Sequence, residues 1–185
     1  MSADIILSKG LTIPMSGTAD LNISSADSAD NFVIYPHDFH GVVPKMLLRE
    51  GEAVLQGQPI FYSKANPEIK FVSPVSGTLT KIERGAKRRI MSLSIASDGK
   101  NKAVTHSLEK LDKLEAADVK KHLLESGCWP FVKQRPYDVI ADPDSTPKAI
   151  FISGFSTAPL AADVPFILSS QKEDFQNGIN ALAKL

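Results

Sequence analysis

REGEAVLQGQPIF (residues 49–61) and SPVSGTLTKIERG (73–85) decide how this chain folds. Each holds short runs of Val, Ile, Leu and Phe, cut by glycine every few residues, and neither holds a helical period of useful length. Their glycines suit tight turns with positive φ between short strands. The same pattern runs outward from FVIY (32–35) to about residue 97. Aligning Gly51 with Gly85 sets MLLREG (46–51) beside TKIERG (80–85), each followed by an apolar run. The economical explanation is a duplicated β unit.

Outside this region the pattern changes. KGLTIP (9–14) is expected to be extended and ended by Pro14, MSG (15–17) to be a turn, and SSADSAD (24–30) to be a surface loop. Residues 98–110 read as a polar connection. From Leu114 to Glu125 the spacing predicts a helix, with Leu114, Val119 and Leu123 on one face and Gly127 as its stop. WPFVKQRPYDVIADPDSTP (129–147) holds four prolines and is expected to be extended and irregular. AIFISG (149–154) reads as a buried strand, followed by a loop and by a helix over Glu173–Leu185. A strand–loop–helix opens an α/β layer. A lone strand makes no sheet, so this one is expected to be completed by residues beyond the chain.

Composition narrows the function. The 185 residues carry 21 Lys+Arg and 21 Asp+Glu, a formal net charge of zero, which gives no bulk attraction for nucleic acid. Cys128 is the one cysteine, so an internal disulfide and a Cys-ligated zinc or iron–sulfur site are excluded. The N-terminal residues MSADIILSKG do not read as a signal peptide, and no apolar run approaches the ~20 residues that span a bilayer. The expected location is cytosolic, or the peripheral face of a membrane assembly. No phosphate-binding glycine loop, nucleophile elbow or carboxylate pair stands out, so no catalytic residue is assigned. His37-Asp38-x-His40 would place its imidazoles on opposite faces of a strand, and no metal is assigned either.

The set Gly51, Glu52, Val54, Gly57 and Gln58, then Ser73, Pro74, Val75 and Gly77, resembles the lipoyl/biotinyl-carrier sandwich. Carriers place their modified lysine eight residues before the proline. Here that position is Asn66, and Lys64 lies two residues further away. The resemblance therefore implies the fold, with the carrier role as the lesser alternative.

A longer ordered set adds KGLTIPMSG, PHDFHG (36–41), RGAKRR (84–89), SGCWPFVKQRPYD (126–138) and AIFISGFSTAPLAAD (149–163). Its sharpest pieces are Asp38-x-x-Gly41, Arg84-Gly85, Ser126-Gly127-x-Trp129 and Arg135-Pro136-Tyr137-Asp138. Together these resemble the A-subunit family of sodium-translocating NADH:quinone oxidoreductases, of which this chain would be an N-terminal portion. The C-type component of Rnf electron-transport complexes is a relative, but its Cys-rich cluster motifs are missing here.

The resulting fold class is mixed α+β. A lipoyl/biotinyl-like β-sandwich, or barrel-sandwich hybrid, is followed by the start of an α/β, Rossmann-like layer. The expected divisions are an N-terminal segment (1–30), the sandwich (31–100), a helix with a Pro-rich connection (101–147) and an incomplete α/β unit (148–185). The resemblance implies a peripheral subunit on the cytoplasmic side of a bacterial inner membrane, partnered by the other subunits of the Na+-NQR complex (B to F). It implies a quinone, ubiquinone or menaquinone, as substrate. It also implies that FMN, FAD, riboflavin and a 2Fe-2S centre belong to those partners and none to this chain.

A quinone ring needs a flat aromatic or apolar surface and donors to its carbonyl oxygens. Trp129, Phe131 and Tyr137 are the candidate surfaces; Lys133, Gln134 and Arg135 are the candidate donors. The structural alternative is a Pro-rigid connection whose aromatics fill a gap, with Arg135 paired to Asp138. Arg84, Lys87, Arg88 and Arg89 make a basic cluster that would meet a partner's acidic patch, a phosphate or anionic lipid, or else form a solvated hairpin end. An assembly module that binds no quinone stands as the alternative function.

Overall fold

A computed structural model describes residues 10, 16–17, 20–106, 113–156, 158 and 160–185. The expectation for KGLTIP lies, Gly10 apart, outside the described residues; of MSG, Ser16 and Gly17 form the expected bend, with Gly17 at φ 85°. Residues 24–29 have no regular structure and are exposed, as their polar turn-rich composition requires.

The β region folds as two antiparallel sheets. β1 (Asn31–Ile34), β7 (Ile90–Ser97), β6 (Gly77–Arg84) and β3 (Ala53–Val54) form the first, in the order β1-β7-β6-β3. β2 (Pro44–Met46), β4 (Pro59–Ser63) and β5 (Lys70–Val72) form the second, in the order β2-β4-β5. Neither closes into a barrel. Short strands bury few residues each, so the stability comes from what the two sheets hide together. Val54, Ile60, Phe61, Phe71, Leu79, Leu93 and Ile95 form one buried cluster. Phe61 stacks on Phe71 at 4.5 Å between ring centroids, and Phe39 meets the edge of Phe71 at 4.6 Å.

The apparent duplication has no matching structure. MLLREG leaves β2 at Met46 and runs through bends and a turn to Gly51, while residues 80–84 of TKIERG are part of strand β6. The strand that follows MLLREG, β3, pairs with β6, whereas the strand that follows TKIERG, β7, pairs with β6 itself. The aligned glycines differ too: Gly51 has φ 87°, while Gly85 has φ −92°. Gly57, at φ 78°, takes the positive-φ turn expected of it.

α1 (Ala116–Glu125) begins two residues after the predicted start, because Glu115 and Asp118 form a capping box at Ala116's side of the turn. The chain leaves the helix through Gly127 at φ 73°. Val119 and Leu124 are buried and Leu123 half-buried, and Leu124 joins the sandwich core.

Three expectations are corrected. Residues 129–147 are not simply extended: Trp129–Phe131 is a 3-10 turn, and β8 (Lys133–Gln134) pairs antiparallel with β9 (Val139–Ile140). A turn with a cis Arg135–Pro136 bond joins them. Proline disfavours helix here, but two residues on each arm still suffice to close a hairpin. His37 and Asp38 lie in a 3-10 turn (Pro36–Asp38), not on a strand, since Pro36 supplies the fixed φ of a first helical position. Residues 149–154 form no strand, and Phe151 is 93% exposed. No described residue offers the neighbouring backbone that a strand ladder needs.

Residues 26–150 with 178–185 make one compact unit. Its C-terminal residues are tied in: Lys184 Nζ donates to the Leu114 carbonyl at 2.7 Å, and Leu185 packs on the core cluster. The other unit takes in residues 151–177. It holds α2 (Val164–Ile167), capped by the Asp163 carboxylate accepting from the Phe166 N–H at 2.9 Å. α3 (Lys172–Leu182) is close to the predicted helix.

Candidate functional site

The six candidate donors and surfaces divide by burial. Trp129 follows directly on the α1 exit and is 5% exposed, inside the core cluster. Its indole N–H donates to the Ala141 carbonyl at 2.8 Å, which ties the 3-10 turn to the far end of the hairpin. Trp129 therefore offers no open face to a ligand: burial of so large a ring with its one donor satisfied is the work of a structural anchor.

Phe131 and Tyr137 stand outward, at 75% and 79% exposure. The Phe131 ring still touches Phe39, centroid to centroid at 6.4 Å. Lys133, Gln134 and Arg135 are also exposed. The Gln134 carboxamide oxygen accepts from the Asp142 N–H at 3.2 Å, and Arg135 Nη1 pairs with Asp138 Oδ1 at 3.6 Å. The pairing foreseen for Arg135 and Asp138 is thus present, at a solvated distance that leaves the guanidinium's other donors available.

Beside this hairpin lies an open cleft of about 290 Å³. Val42, Ile69 and Ile140 give it apolar walls; His40, Asn66 and Asp142 give it polar edges. Sequence reasoning does not reach these residues as a group, because they come from three separated stretches. Asn66 sits in the turn between β4 and β5, where its side-chain oxygen accepts from the Glu68 N–H at 3.2 Å. A carboxamide occupies the place where a carrier would present its lysine. A second, nearly apolar cavity of about 220 Å³ lies between α1 and Ala181 of α3, with His106 and His122 among its lining. Among the described residues no group of three His, Cys, Asp or Glu side chains is placed to hold a metal.

Two domain models of one family match the chain in order. The NqrA N-terminal barrel-sandwich hybrid domain matches residues 5–98, and the NqrA second alpha/beta domain matches residues 114–185.

The chain belongs to the NqrA family.

NqrA relatives include the A subunit of the Na(+)-translocating NADH-quinone reductase of Haemophilus influenzae, 36% identical over 183 residues. The A subunits of the same name from Pseudomonas aeruginosa and Tolumonas auensis are 34% and 38% identical. Each match covers 98% of this chain, and the chain spans 41% of the length of these relatives. The barrel-sandwich hybrid of the NqrA family is the pair of sheets described above, and its second domain is α/β.

The basic cluster of this NqrA-family chain occupies the tip joining β6 to β7, and Arg84, Lys87, Arg88 and Arg89 are all exposed. Lys87 and Arg88 both have positive φ, 53° and 61°, and the Arg89 N–H donates to the Ala86 carbonyl at 3.2 Å. This is the backbone of a two-residue hairpin turn that Asn-Gly makes without strain. A left-handed backbone costs a non-glycine residue about 1–2 kcal/mol. Arg84 Nη1 donates to the Arg88 carbonyl at 3.4 Å. Glu83, the nearest carboxylate in sequence, is engaged with Ser92 at 2.9 Å and Lys81 at 3.9 Å.

Proposed function

We propose that this chain serves as part of the A subunit in a sodium-translocating NADH:quinone reductase, contributing to quinone binding and to assembly with the rest of the complex. The observation that carries this reading is the ordered match of both NqrA domain models over residues 5–98 and 114–185. The named activity of the relatives supports it. In this reading the partner subunits, B to F, hold the FMN, FAD, riboflavin and 2Fe-2S groups, and this chain works on the cytoplasmic side of the membrane. No described helix is long and apolar enough to cross a membrane; in this reading contact with the bilayer runs through the partner subunits.

The quinone surface is assigned to the exposed side of the β8–β9 hairpin and the cleft next to it. Phe131 and Tyr137 supply aromatic faces, Lys133 and Arg135 supply cationic donors, and Val42, Ile69 and Ile140 supply the apolar wall. Such a mixture of a flat apolar surface with a few donors fits a quinone ring and its two carbonyl oxygens. Trp129 supports the site from behind by fixing the hairpin.

The test uses the assembled complex carrying Arg135→Ala and Tyr137→Ala together. Quinone reduction is expected to fall at least ten-fold, with NADH oxidation by an artificial acceptor retained. Unchanged quinone reduction would remove the hairpin from the site. A second reading, a pure assembly module, is favoured by the internal engagement of Trp129 and by the Arg135–Asp138 pair. It predicts that the same double change lowers copurification of the partner subunits and leaves turnover per assembled complex unaltered.

A further inference from the structure

We infer that the β6–β7 tip is a docking surface for anionic phospholipid headgroups, made by Arg84, Lys87, Arg88 and Arg89. The tip concentrates four cations in six residues of a chain whose formal net charge is zero, so any attraction to an anionic surface has to be local. None of Lys87, Arg88 and Arg89 has a carboxylate partner among the described residues, and Glu83 is already engaged. Two of the cations hold left-handed backbones at a position where an uncharged Asn-Gly pair would sit unstrained. Strain retained in this way points to a use for the side chains themselves. Exposed Met91 lies over Gly85 and sets an apolar foot beside the charges. Cations flanking an apolar group suit the boundary between headgroups and acyl chains.

A bilayer fits this tip better than an acidic protein face does. The six-residue tip by itself is too small to bury the ~800 Å² per partner that a stable protein interface takes. Headgroup attraction needs no such area, since each Lys or Arg near an anionic surface strengthens binding about five-fold, or ~1 kcal/mol. The inference rests on reading this chain as part of a membrane complex, but its test needs no partner subunit.

The chain is sedimented with vesicles of 70:30 phosphatidylcholine:phosphatidylglycerol at low salt and with vesicles of phosphatidylcholine alone. Binding is expected only to the anionic vesicles and to weaken with salt, because exposed charges are screened. Lys87→Asn/Arg88→Gly removes two cations and relaxes the turn, so vesicle binding should fall roughly thirty-fold while the melting temperature rises. Arg84→Gln/Arg89→Gln, which leaves the two left-handed residues in place, should weaken binding by a similar factor. Equal binding to both vesicle types, or undiminished binding by Lys87→Asn/Arg88→Gly, overturns the inference. So does absence of binding by the unaltered chain, including the outcome in which the tip is needed only for copurification with partner subunits. Failure to copurify with those partners while vesicle binding persists would instead strike the reading as part of the reductase and leave the lipid surface standing.

Discussion

The indole N–H of Trp129 donates to the Ala141 carbonyl oxygen at 2.8 Å, across twelve residues of chain and the whole β8–β9 hairpin. This bond fixes the hairpin's far end to the helix exit, and the ring fills the sandwich core beneath it. Trp129→Phe keeps most of the apolar volume and leaves the carbonyl unpaired. It should destabilise the chain by about 1–2 kcal/mol. Trp129→Ala adds a cavity and should cost about 3–5 kcal/mol. Urea unfolding followed by far-ultraviolet circular dichroism measures both. Stability unchanged in Trp129→Ala would mean that the ring is not an anchor.

Gly127 ends α1 at φ 73°, and a Cβ placed there would come within 2.6 Å of the Val72 side chain on β5. Gly127→Ala therefore suffers twice, from the left-handed backbone and from the clash, and should lose about 1–3 kcal/mol or more. Combining it with Val72→Ala relieves only the clash. In a double-mutant cycle by chemical denaturation, the pair should be less destabilised than the sum of the two single changes. Strict additivity would show that backbone conformation accounts for the whole effect.

Asp98 makes stability depend on pH. The Ser76 hydroxyl donates to its carboxylate at 2.6 Å, and the Lys100 backbone N–H does so at 2.9 Å. The Ser76 bond first, and then the Lys100 bond, hold its pKa below the ordinary 3.8. A carboxyl group lowered on folding stabilises the folded state above its unfolded pKa, and that stabilisation fades as pH falls through the lowered value. The denaturation midpoint of the native chain should thus drop faster than that of Asp98→Asn as pH is taken from about 6 to below about 4. Parallel curves for the two proteins would show that Asp98 contributes nothing to the pH response.

Arg135 and Asp138 are both largely exposed, and pairs of that kind contribute only about 0–1 kcal/mol. Arg135→Ala should leave the denaturation midpoint nearly where it was. On the proposed quinone-binding reading, a loss of quinone reduction by the complex carrying this variant is then attributable to the missing guanidinium and not to unfolding. A large fall in stability would reverse that attribution.

Phe151 and Phe155 are exposed large apolar side chains close together in sequence. Phe151→Ser/Phe155→Ser should change stability by less than about 0.5 kcal/mol. If exposed apolar surface drives association, the same variant should sediment as a smaller species at high concentration than the native chain does. Identical sedimentation would show that the patch takes no part in self-association.

The β region was legible because its signals are local. Gly57 takes the positive φ its turn requires, and the alternation of short apolar runs with turn residues marks where strands form once neighbouring runs are there to pair with. The same holds for α1, whose apolar face and glycine stop lie within one run of sequence. The family could be read from ordered motifs for the same reason.

Residues 149–154 show the opposite. Their apolar run reads as a strand, yet a strand exists only where another backbone pairs with it, and the described residues provide none. The sequence determined which residues have aromatic rings and cations to offer around 129–137. Only the tertiary structure decided which of them remain available, because burial is set by the surrounding chain. Trp129 was drawn into the core by contact with the sandwich and by the distant Ala141 carbonyl, while Phe131 and Tyr137 were left facing solvent.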